Sequence, residues 1–142
     1  MDALGDQLQT HLVPLVPDLQ VFSRMTWNPS PPTIDVYPAP EFQAGLGFGR
    51  DTSELNFTVR ARVNTPDYEG AQDLLLAMMD PQADTSVAAA ITAAGTTSPA
   101  KTLGGSVENV TVGGPTDFGV FTDPSPNAGS LMGCTWNVRV FP

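Results

Sequence analysis

The chain has 142 residues, enough for one domain with a sizeable core, and fifteen acids against six bases give it a net charge of −9. That balance argues against gripping a nucleic-acid backbone, which needs clustered Lys and Arg, although acidity alone also serves plain solubility. No apolar run approaches the roughly 20 residues of a membrane span, and the first residues lack the basic stretch of a signal peptide, so neither is expected.

In chain order, residues 2–13 predict a helix with Leu4, Leu8 and Leu12 on one face and Gln7, Gln9 and Thr10 turned outward. Pro14 and Pro17 end it. Residues 18–22 and 33–37 predict short strands separated by a proline-rich bend. The stretch 38–51 has too many Pro and Gly for a regular element and too many apolar residues for a solvated linker. Residues 54–64 give the clearest signal. Leu55, Phe57, Val59, Ala61 and Val63 alternate with Asn56, Thr58, Arg60, Arg62 and Asn64, the period of a strand with one dry face.

Thr65 and Pro66 then suit an N-cap and a first helical position, with Asp67 and Glu69 in the first turn, so a helix is expected over 65–79. Residues 86–94 predict a third, alanine-rich helix closed by Gly95. Leu103, Gly104 and Gly105 make a tight turn into a strand at 106–112. A second long loop, 113–130, carries Phe118, Val120 and Phe121. The last strand, 131–141, puts Cys134, Trp136, Val138 and Val140 on one face. The expected fold is α+β: a single domain over 1–142, with a mostly antiparallel sheet and two or three helices packed on one face. The other face would carry Thr58, Arg60, Arg62, Thr135, Asn137 and Arg139.

Catalytic constellations are scarce. His11 and Cys134 are the sole histidine and cysteine, so the spacing of a zinc site is not available. Cys134 lies on the dry face of its strand, which suits a small core residue better than a nucleophile. Gly45, Gly47 and Gly49 mimic part of a phosphate loop but lack its preceding strand, following helix and lysine. No catalytic, cofactor-binding or metal residues are assigned, no cofactor is expected, and the chain is read as no enzyme.

Two features point to recognition. Phe42, Leu46, Phe48, Phe118 and Phe121 sit in long loops, as lids on the core or as anchors for a partner. Arg60, Arg62 and Arg139 hold half of the basic residues on the polar strand face. They suit either contacts with carboxylates of an identical subunit or local ion pairs on a solvated face.

The order of segments carries a resemblance over nearly the whole length: PPTIDVYP at 31–38, LNFTVRARVNTPDYEGAQDLLLAMMD at 55–80, SVAAAITAA at 86–94, TLGGSVENVTV at 102–112 and GCTWNVRV at 133–140. This pattern resembles the tail-terminator, or tail-completion, proteins of long-tailed (siphovirus-type) bacteriophages, particularly those of actinobacterial hosts. The resemblance implies a structural virion protein, made in the host cytoplasm and located in the tail and neck. It would form a homo-oligomeric ring, usually a hexamer, that caps the tail-tube protein, ends tube growth and docks to the head–tail connector or stopper. DNA would only pass through its channel, and no membrane partner is implied. Two alternatives remain: another neck component, such as a stopper or adaptor, or a small intracellular ligand-binding domain.

Overall fold

A computed structural model describes residues 2–16, 19–24, 32–44, 54–64, 68–94, 99–105, 107–122 and 130–141. It is a small α+β domain of three helices and one six-stranded mixed sheet. In chain order the elements are α1 (Asp2–Leu12), β1 (Gln20–Phe22), β2 (Thr33–Ala44), β3 (Glu54–Asn64), α2 (Tyr68–Met79), α3 (Val87–Thr92), β4 (Asn109–Val112), β5 (Thr116–Thr122) and β6 (Ser130–Phe141). The strand order is β1-β2-β3-β6-β4, with β5 also on β6. Every pair is antiparallel except β1 with β2.

β3 is the middle of the sheet because it alternates cleanly and finds a long partner on each side. It pairs with β6 without interruption from Leu55↔Val140 to Asn64↔Leu131. Their dry faces coincide, so Phe57, Val59, Ala61 and Val63 share a buried layer with Met132, Cys134, Trp136, Val138 and Val140. The helices cover that layer. α1 contributes Leu4, Leu8 and Leu12, α2 contributes Leu75 and Met78, and α3 contributes Val87, Ala90 and Ile91. Ser86 caps α3 by accepting the Ala89 N–H at 3.2 Å.

Gln7 departs from the outward placement expected on α1. It is buried, and its Nε2 donates to the Ala90 and Ala93 carbonyls at 3.0 and 3.1 Å. The end of α3 leaves carbonyls that its own short ladder cannot satisfy, and this amide supplies the donor. Gly5 lets α1 lie close to the end of β1, since a Cβ there would run into the Ser23 side chain.

Two stretches expected as loops are partly strand. β2 continues to Ala44, with its register shifting between Pro38 and Gln43. β1 reaches only as far as Asp35. Beyond it, among the described residues, β2 is an edge, where Pro38 and Pro40 can lack N–H donors at little cost and a bulge absorbs the irregularity. β5 occupies 116–122 of the second expected loop. One extra residue between Thr116 and Gly119 is accommodated with Asp117 at φ 57, a left-handed conformation that Asp tolerates better than most residues. The expected strand at 106–112 is shorter, beginning at Asn109. The turn before it holds Leu103, Gly104 and Gly105 at positive φ.

The β2–β3 hairpin closes beyond the Ala44↔Glu54 pair, and the β5–β6 hairpin beyond Thr122↔Ser130. Because β3 and β6 run antiparallel in full register, these two closures lie at opposite ends of the sheet.

Leu8 is fully buried, whereas Leu76 on the outer side of α2 is 45% exposed. Leu8→Ala should therefore cost about 2–5 kcal/mol in urea unfolding, and Leu76→Ala about 0.5 kcal/mol or less. Similar losses at the two sites would contradict this packing of α1.

Candidate functional site: the polar face and open edge of the sheet

The face away from the helices holds a charged cluster that the strand register brings together. Asp35 lies opposite Arg60, Thr33 opposite Arg62 and Tyr37 opposite Thr58. Arg60 Nε donates to Asp35 Oδ1 at 3.2 Å and its Nη2 to Oδ2 at 2.6 Å, a two-pronged grip. Arg62 Nη2 adds a third bond to Oδ2 at 3.3 Å. The Asp35 side chain has 0% exposure and that of Arg62 6%. Arg60 also lies over the Tyr37 ring, 5.2 Å from its centroid. Burial pushes the Tyr37 phenol above its usual range, with Arg60 opposing that shift.

This cluster fixes the β2–β3 register. A one-residue slip would turn Asp35 into the apolar core and break all three bonds. Asp35 is the member that the sequence did not single out, although its alternation with Ile34 and Val36 was the available signal. Arg60 and Arg62 thus meet a carboxylate of their own chain. Arg139 stands apart from them. It is opposite Asn56, its side chain is 66% exposed, and it forms an ion pair in which its Nε lies 3.2 Å from Glu54 Oε1. The three arginines do not form one patch.

The aromatic candidates are also divided. Phe118 follows the bulge in β5 and is 44% exposed. The backbone of Phe121 pairs with Leu131 further along the same hairpin. Phe42 belongs to the outer part of β2. Leu46 and Phe48 lie outside the described residues. Next to Phe118, Thr116 and Thr135 hydroxyls lie 3.0 Å apart, and Thr135 Oγ1 donates to Asp117 Oδ2 at 3.3 Å.

Nucleophilic chemistry finds no support at Cys134. The thiol is fully buried, and desolvation pushes its pKa up to about 12. His11 is half-buried on α1. Among the described residues no three His, Cys, Asp or Glu side chains come together as a metal site. A groove of about 350 Å³ does open between α3 and β4. Lys101 stands at it with φ 63, its N–H bonded to the Thr92 carbonyl at 3.1 Å.

Asp35→Ala removes the acceptor that the guanidinium groups share and should cost about 3 kcal/mol or more in urea unfolding. Arg139→Ala, which breaks an exposed pair, should stay within about 1 kcal/mol. Comparable effects would contradict the burial of the cluster.

The thiol gives a second expectation. Its ordinary value is 9.0 and its folded value about 12, so the unfolded chain ionises first as pH rises. Stability is intact below about pH 9 and lost as pH climbs toward 12, with Tyr37 adding to the loss in the same direction. Cys134→Ala should flatten that alkaline limb in a series of urea curves; an unchanged limb would refute it.

With this geometry described, comparison with known proteins adds no relative: no protein-family model and no curated protein matches the chain.

Proposed function

We propose that this protein is a structural assembly protein of the tail-terminator type, a ring-forming component of a long-tailed phage that acts by recognition and steric termination, without catalysis. The observation that carries the proposal is the closure of two long hairpins at opposite ends of one continuous sheet. A protein that ends one polymer and joins it to a different structure needs two unlike contact regions held at a fixed separation. Strands of eleven and twelve residues, in unbroken register, provide that spacing.

The segment order that resembles tail terminators supports the same reading. The sheet has two dissimilar lateral edges, β1 and the β4–β5 line, which suits the head-to-tail contacts of a closed ring larger than a dimer. In this reading the partners are identical subunits, the tail-tube protein beneath the ring and the head–tail connector above it. A net charge of −9 suits a channel that passes DNA without holding it. Of Arg60, Arg62 and Arg139, the last is best placed for a subunit contact, because its exposed pair with Glu54 can be exchanged at little cost.

The test is the mass of the full chain in solution, alone and mixed with tail-tube protein. A ring-sized species in either sample is the expected result, and a strict monomer in both would overturn the proposal. Phe118→Ser should retain the wild-type unfolding curve while weakening the joined species. An unaltered joined species would remove Phe118 from the contact.

A further inference from the structure

We propose that the groove between α3 and β4 binds a small carboxylate with a short unbranched apolar chain, its charge on Lys101 and its chain along α3. The groove, of about 350 Å³, has Ala88, Ala89 and Thr92 of α3 on one side and β4 on the other. Val110 is fully buried and closes the floor, whereas Pro81, Ala89 and Lys101 line the groove and are exposed. The contacts are made by these side chains and not by the backbone of the strand.

The lining offers an incoming molecule few hydrogen bonds. Alanine and valine side chains have no polar atoms, and Pro81 lacks an N–H. The Thr92 hydroxyl is committed within its own helix, donating to the Ala88 and Ala89 carbonyls at 2.9 and 3.4 Å. Thr111 alternates with Val110 and Val112, so its side chain belongs to the polar face of the sheet, away from α3. An apolar chain therefore suits the walls. Ala88 and Thr92 lie one helical turn apart, about 6 Å, a length that a few carbons span.

Lys101 sets the charge. It is the only lysine in a chain of net charge −9, and no carboxylate of the described residues lies within ion-pair distance. The rest of the lining is uncharged. A phosphate would call for further donors that these residues lack, while one ammonium matches one carboxylate. The cation is also held in place. Its N–H bonds to the Thr92 carbonyl at 3.1 Å, and its φ of 63 is a left-handed conformation that a non-glycine residue adopts at a cost. Next to it, the Thr102 hydroxyl donates to the Pro99 carbonyl at 2.7 Å, and Leu103 is buried. A site of apolar walls and one fixed polar group orients a small ligand.

The experiment titrates the full chain, nitrogen-15 labelled, with pentanoate, and separately with pentylamine and with acetate. Pentanoate is expected to move the Ala89, Lys101 and Val112 amide resonances, and pentylamine to bind about ten-fold more weakly. Lys101→Gln should erase that preference. Lys101→Gly should erase it too while leaving the urea unfolding curve no weaker, because glycine adopts this φ freely. Ala89→Leu should fill the groove and abolish the shifts, with its unfolding curve as the check on the fold.

The proposal is overturned if pentanoate leaves these amides unmoved well above millimolar concentration, or if Lys101→Gln keeps the preference. It is equally overturned if Ala89→Leu retains the shifts, or if acetate produces the same shifts, which would mark an adventitious ion only. Ring assembly is read by mass and groove binding by amide shifts, so either can fail without the other.

Discussion

The carboxylate of Asp35, gripped by Arg60 and Arg62, is the constraint on which the sheet depends. β3 is dry on one side and polar on the other, so its apolar face alone would tolerate pairing with β2 in any register that keeps like faces together, including slips of two residues. The charged side distinguishes among those registers. Only one places Asp35 opposite Arg60 with Arg62 close enough to share Oδ2. A buried ion cluster adds little net stability over an apolar replacement, but a misplaced one is costly. Here it specifies alignment, and the packing of Ile34, Val36, Val59 and Ala61 against the helices supplies most of the stabilisation.

From that alignment the positions of the hairpin ends follow. β3 transmits its register to β6 through ten consecutive paired residues, so the ends of both hairpins are set by one cluster in the middle of the sheet. Among the described residues the helices lie on one side only, which leaves the polar face and the lateral edges without helical cover from them. Asn137 and Arg139 are exposed on that face, toward the β4 side, while Thr33, Asp35 and Arg62 near β1 are buried. The two halves of the polar face therefore differ in character, closed around the ion cluster and open at the far end of β6.

The central architecture was legible in the sequence wherever one periodicity dominated. The alternation of 54–64 and 131–141 located β3 and β6, and the leucines at 4, 8 and 12 located the buried face of α1. What was missed has common physical causes. Pro38, Pro40 and Gly119 are local breakers, yet an edge strand with a bulge tolerates them, and edge status depends on partners that local sequence does not reveal. Gln7 has the composition of a surface residue. Its burial follows from the carbonyls of a helix more than eighty residues away. The arginine group was legible as a set on one face, but its division was not: Asp35 draws two members inward, and nothing near Arg139 in sequence marks Glu54 as its partner.

The long edge opposite β1 shows how the same local breakers limit association. Along 109–122 the chain would present a continuous row of unpaired backbone groups, the kind of edge that recruits other chains without selectivity. Gly113, Gly114 and Pro115 interrupt it after β4, and the bulge at Asp117 twists it again before Gly119. The short run 109–112 is regular, but Val110 within it is fully buried and α3 and Lys101 flank it. The irregularities that hid β5 from a sequence reading thus also confine what the edge can recruit.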